Sequence, residues 1–386
     1  MRTLGYLLAC GSLLSLTALG CGEQDERAET EPVERTPVPE SEFKAYALED
    51  TVELLAMEID RTQAAELRLG VVLGGGDASW DDVGAGVERA FSELGAQGAV
   101  VAPADQSDSE QIELLKRERE KSSQGIGVAP LADTLGVEVD RALQDGIPVV
   151  TMGKDLSNSE RDLFVGFGEN EVGQRLGDAV LQLITIREGT VVILGSDDEE
   201  ASPEGYQRSL AAKTIMEETG LDVVIRNSST AADGEARDIE TIKNDLLDAE
   251  DRPLAVLGVL ETSYRVALAA TAADRALEEA HPSDEANDEP GLSHLANVML
   301  IGYGLAPATL EALRSKVFDA TLAERRHYMG YVVPYVLAGL NVLGEKRTRY
   351  LLTPHILDNG TLDVGSDLIV AEELDAYVEF QKALAR

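Results

Sequence analysis

From about residue 67 the chain alternates short apolar runs with amphipathic stretches. Residues 67–73 read as a buried strand, and the segment after them places Val83, Val87, Phe91 and Leu94 on one helical face. Runs at 99–102, 125–129 and 148–152 follow, each behind a polar helical stretch. The rhythm resumes at 190–194, 221–225, 254–260 and 298–301. Strands that are apolar almost throughout, alternating with helices, require a parallel sheet covered on both faces. About ten such strands are too many for one small sheet. The expected fold class is therefore α/β, with two doubly wound Rossmann-like lobes. Residues 280–296 break the rhythm with two prolines and mostly polar positions, and read as a surface loop.

The N-terminal end has a different pattern. Residues 1–20 carry one charge, Arg2, ahead of an apolar run from Leu4 to Leu19, which is the layout of a secretory signal. It ends Ala18-Leu19-Gly20-Cys21, which resembles the lipobox of bacterial lipoproteins, with Ala18 where that motif usually has Leu. Cys21 is the expected lipidation site; the alternative is a plain signal peptide cleaved nearby. Residues 22–43 hold eight acids, two arginines and Pro32, Pro37 and Pro39, with no helical or strand period. Residues 21–44 are expected to form a disordered acidic tether. The most apolar later stretch, 330–344, is too short for a membrane span and contains Pro334. A body held to the membrane by lipid alone is the expectation, in the periplasm or cell envelope.

Composition narrows the function classes. Asp plus Glu number 71 against 33 for Lys plus Arg, a net charge of -38. Such a surface repels phosphate backbones, so no nucleic-acid partner is expected. Only four histidines occur (His281, His294, His327 and His355), without His-Glu-x-x-His spacing, so no metal site is expected. Both cysteines, Cys10 and Cys21, lie in the first 21 residues, which excludes a disulfide framework for the body.

Two motifs invite enzyme readings and neither holds. Gly74-Gly75-Gly76 lacks the third glycine of a dinucleotide fingerprint and reads as room for a tight strand-to-helix turn. Ser209-Leu210-Ala211-Ala212-Lys213 matches Ser-x-x-Lys without Lys-Thr-Gly or Ser-Asp-Asn, and reads as helix surface. No Gly-x-Ser-x-Gly elbow is present. No catalytic residue and no cofactor are expected.

In open parallel sheets, ligands bind beyond the carboxyl ends of the strands. The residues at those ends include Asp77, Ser79 and Trp80, then Gly153 and Lys154, then Glu261, Tyr264 and Arg265, then Tyr303 and Gly304. A sugar needs an apolar surface for its ring face and polar side chains around its hydroxyls. Aromatic residues make up only 4% of the chain and Trp80 is its one tryptophan, so aromatics at three strand ends are a signal.

The stretches L-R-L-G-V-V-L-G-G-G-D-A-S-W, G-I-P-V-V-T-M-G-K and F-V-G-F-G-E-N-E-V-G-Q resemble the type I periplasmic sugar-binding proteins. G-T-V-V-I-L-G-S, A-V-L-G-V-L-E-T-S-Y, V-M-L-I-G-Y-G and F-D-A-T-L-A-E follow in the same order. The resemblance implies two lobes joined by three crossover hinge strands, near 168–170, 323–324 and 352–354. One lobe would comprise 67–168 plus 325–352, the other 169–323 plus 353–386. It also implies a stacking role for Trp80, with Asp77 as a hydroxyl ligand, and adds Glu324 and Arg208 to the site. Gly153 and Gly304 stand where ribose binders carry carboxylates.

The implied function is a lipid-anchored protein that captures a sugar or sugar-like polyol between its lobes and delivers it to an ABC permease. The alternative is a sensor docking on a membrane receptor or kinase; an exported enzyme is the third reading.

Overall fold

The computed structural model describes residues 31–386, except 157, 187, 230, 232, 281–291 and 386. The signal segment, Cys21 and most of the expected 280–296 loop lie outside the described residues. One six-stranded sheet comprises β1 (Arg68–Val72), β2 (Gln97–Val101), β3 (Gly125–Val128), β4 (Val149–Met152), β5 (Leu163–Gly166) and β11 (Thr361–Asp363). The other comprises β6 (Thr190–Gly195), β7 (Asp222–Asn227), β8 (Ala255–Gly258), β9 (Met299–Tyr303), β10 (Ala320–Glu324) and β12 (Ser366–Val370). Their orders are β11-β5-β4-β3-β1-β2 and β12-β10-β9-β8-β6-β7. All pairings are parallel except β10 with β12. This is the expected α/β class with two doubly wound halves.

Helices cover both faces because the strands are apolar on both. The Asp81–Leu94 helix buries Val83, Val87, Phe91 and Leu94, the stripe read from the sequence. The most apolar stretch becomes the Arg326–Val342 helix, buried from His327 through Gly339 with Pro334 inside it. Its hydrophobicity on all sides reflects burial within the fold. Among the described residues no helix is long and apolar enough to cross a membrane.

The chain passes between the sheets three times: after β5, between β10 and the Arg326–Val342 helix, and between β11 and β12. The third passage differs from the expected 352–354. Residues 361–363 pair in parallel with β5 and so belong to the first sheet. Arg325 joins the second and third passages: its N–H donates to the Gly365 carbonyl at 3.2 Å and its guanidinium to Asp367. Asp367 is buried, which pushes its carboxyl up despite that partner.

The part of the expected tether that is described, residues 31–44, is not a free tether. Val33, Val38 and Phe43 are buried, and Pro32 bridges Asp60. Arg35 Nε donates to the Tyr331 hydroxyl at 3.0 Å, and the Thr36 N–H donates to Glu93 at 3.0 Å. Phe43 meets the Tyr377 ring edge-on at 5.1 Å. The acids and prolines conceal three apolar anchors that follow no regular period, so the segment docks without forming a helix or strand. Residues 46–66, outside either expected lobe, add two helices, Tyr46–Glu58 and Arg61–Glu66.

Candidate functional site

The strand ends of the two sheets face each other across a cavity of about 430 Å³. Trp80, Gly153, Lys154 and Phe167 line it from one side; Glu204, Arg208, Glu261 and Tyr303 line it from the other. Glu169, Glu324 and Arg326 stand beside the passages between sheets. An adjoining cavity of about 670 Å³ shares Glu261, Glu324 and Arg326 and adds Asp77, Ser79 and Asp82.

Trp80 ends a short 3-10 turn, Ala78–Trp80, before the Asp81–Leu94 helix. Asp77 caps that turn, accepting from the Ser79 N–H at 2.9 Å and from the Ser79 hydroxyl. These bonds from Ser79, then Gln106, hold the Asp77 carboxyl below its ordinary range. The glycine run serves the indole: a Cβ on Gly74 would collide with Trp80 Cζ2, and one on Gly75 would lie 3.2 Å from Cδ1. Close packing of the indole, more than turn geometry, requires small residues there.

A buried charge network forms the opposite wall. Arg208, on the Pro203–Glu217 helix, is 5% exposed and ion-paired with Glu169. Its Nη2 lies 3.7 Å from Glu324, and its guanidinium covers the Tyr303 ring at 4.3 Å. The Tyr303 hydroxyl donates to Glu324. Burial and the Glu324 charge push the Tyr303 hydroxyl well up, so it stays a donor at neutral pH. Burial also raises Glu169, with Arg208 opposing.

Gly153 and Gly304 take left-handed φ of +74° and +80°, where a Cβ is strained. A Cβ on Gly304 would also sit 2.6 Å from the Glu261 carboxylate. A side chain at position 304 would therefore compete for space with the Glu261 carboxylate, which comes from the adjacent strand end.

Glu261 is solvent-accessible inside the cleft. Enclosure between the walls raises its carboxyl, and Glu324 adds repulsion that Arg326 and Arg208 only partly offset. The folded protein ionises Glu261 less readily than the unfolded chain does. The resulting cost is present at neutral pH and vanishes below the unfolded carboxylate range, near pH 4. Glu261→Gln should therefore raise the melting midpoint of the free protein at pH 7 and lose that advantage by about pH 4.

Of the expected site residues, Trp80, Lys154, Arg208, Glu261, Tyr303 and Glu324 line the main cavity, and Asp77 and Ser79 the adjoining one. Lys154 lies 3.2 Å from Asp133. Tyr303 is 1% exposed beneath Arg208, so its ring is covered by a cation and not open for stacking. Tyr264 and Arg265 turn away. The Tyr264 hydroxyl donates to Glu235 at 2.5 Å, and Arg265 Nη1 donates to Asp238 at 2.6 Å and to the Ser229 carbonyl. Asp238 is 1% exposed and requires a cation, which commits Arg265 to it. Sequence reading missed Glu169, Glu204 and Arg326. Glu169 and Arg326 immediately follow the first two passages between sheets, and that position was the available signal.

The Ser-x-x-Lys match is structural and largely buried, which corrects its reading as helix surface. Ser209 Oγ accepts from the Ser196 N–H at 3.1 Å, and Lys213 donates to the Val223 carbonyl at 2.8 Å. Neither side chain meets the other's reactive atom.

The fold is similar to solved structures over most of the chain. A sugar-binding protein of a sugar ABC transporter from Bacillus halodurans is 19% identical, with a TM-score of 0.61 over 81% of this chain and 100% of its own. The arabinose-binding protein AraP from Geobacillus stearothermophilus is 19% identical, with a TM-score of 0.62 over 81% and 99%. A mutant XylFII–LytSN complex includes a chain 20% identical, with a TM-score of 0.60 over 80% and 99%. No curated protein matches the chain. Residues 69–346, well over half of its length, match the periplasmic binding protein domain, and with two parallel sheets opening on one cleft the chain belongs to the periplasmic binding protein family.

Proposed function

We propose that this protein is an extracytoplasmic solute-binding protein that takes a sugar or sugar-like polyol into the cleft between its sheets and presents it to an ABC permease. The carrying observation is the cleft wall itself: the one tryptophan on one side faces Arg208, Glu261 and Glu324 on the other. An apolar ring face would lie on Trp80, and its hydroxyls would meet the acceptors and donors across the gap. Two proteins of similar fold, a sugar-binding protein and an arabinose-binding protein, support the same class. Lobe closure around ligand would be the signal, with the closed state selected by binding. The lipid anchor at Cys21 and delivery from a membrane surface belong to this reading.

A sensor role is the second reading, favoured by a similar fold solved in complex with a second protein. Gene deletion separates the two: loss of uptake supports transport, whereas normal uptake with a lost transcriptional response supports sensing.

Ligand at one hundred times its dissociation constant should add about 2.7 kcal/mol to the folded state. A thermal melt across aldoses, deoxysugars, polyols and nucleosides would register that as a rise of several degrees. A flat response across the panel would remove the carbohydrate reading.

A further inference from the structure

The charges around the cleft do not balance. Six carboxylates line the two cavities: Asp77, Asp82, Glu169, Glu204, Glu261 and Glu324. Three cations accompany them: Lys154, Arg208 and Arg326. Lys154 is matched by Asp133 at 3.2 Å, outside this set. Arg208 is divided between Glu169 and Glu324, and Glu324 also accepts from Tyr303. Arg326 lies over Trp80 at 5.9 Å and exerts its field on Asp77, Asp82 and Glu261 together. Glu261 has no hydrogen bond or ion pair among the described residues, although its carboxylate projects over Gly304 into the cavity.

An unpaired carboxylate on a cleft wall rich in negative charge favours a ligand that brings a positive charge. A metal ion fits poorly, because among the described residues no three ligating side chains converge. An ammonium fits better. It needs one carboxylate and tolerates an aromatic face nearby. Acidic sugars would meet repulsion from the same wall.

We propose that the cleft selects an amino sugar or aminated polyol, with the ligand's ammonium on Glu261 and its ring face on Trp80. This rests on the carbohydrate reading of the cleft. The groups facing Glu261 are Glu324, Arg326 and Arg208; of these, Glu324 strengthens the attraction for a cation and the two arginines weaken it. Glu261 must be ionised to hold the ammonium. Its raised carboxyl therefore makes the preference fade as pH falls toward and through the ordinary carboxylate range.

The test is calorimetric titration of the full folded chain at neutral pH with glucose, galactose and mannose. Their 2-amino-2-deoxy derivatives and the N-acetylated forms of those amines complete the panel. At least one amine should bind about ten- to a hundredfold more tightly than both its parent and its N-acetyl form, the worth of one charge-assisted hydrogen bond. Glu261→Gln, checked to be folded by a cooperative melt no lower than that of the wild type, should reduce that gap to about threefold or less. Parents binding as tightly as amines would overturn the proposal and leave the carbohydrate reading intact. An amine preference that survives Glu261→Gln would overturn the placement on Glu261. Silence from all nine sugars would overturn the amino-sugar proposal, and the carbohydrate reading would then stand or fall on the wider melting panel.

Discussion

Arg208→Leu should cost about 3–5 kcal/mol of folding stability in the ligand-free protein, the range found when one partner of a buried charge cluster is removed. The guanidinium is 5% exposed and serves three groups: Glu169, Glu324 and the ring of Tyr303. Leucine retains some packing volume but leaves two carboxylates facing each other with no cation between them. Denaturant unfolding at neutral pH measures the loss directly. The loss should shrink as pH falls through the carboxylate range, because protonation removes the uncompensated charge. Adding Glu169→Gln should recover part of it, since the two residues share one interaction. Unchanged stability in Arg208→Leu would mean that the network does not hold this wall.

Trp80→Ala should weaken ligand binding by about thirty- to a thousandfold, equivalent to ~2–4 kcal/mol for a central aromatic in an interface. The indole rests on the glycine turn with one part and borders the cavity with another. It is only partly buried, so the free protein should lose far less stability than a fully buried aromatic would cost. Affinity and melting are separable on one sample. Because Trp80 is the only tryptophan, wild-type fluorescence should also change on binding. Unchanged affinity with unchanged fluorescence would remove Trp80 from the ligand's path.

The strands legible in the sequence were those whose apolar runs stand out from their neighbours, such as β1, β3, β4, β6 and β8. The final strands were harder. β11 has three residues, one of them Asp363, and β12 alternates buried with half-buried positions. Short, polar-containing strands look like loops until a neighbouring strand supplies their hydrogen bonds. The same limit displaced the third passage between the sheets. The docked segment 31–44 was concealed for another reason: Val33, Val38 and Phe43 are spaced too irregularly for any single element, and only the helices beneath them make them anchors.

By itself the sequence determined the α/β class and pointed to the strand ends as the candidate binding surface, because period and burial are properties of local runs. It also placed Trp80, Glu261, Glu324 and Arg208 among the candidates. Which charges pair was decided only by the tertiary structure. Arg208 and Glu169 are 39 residues apart, and Tyr303 and Glu324 are 21 apart. Likewise Arg265, next to a strand end in sequence, is drawn to buried Asp238 on another helix. Electrostatic energy depends on distance and burial, and neither can be read from spacing along the chain.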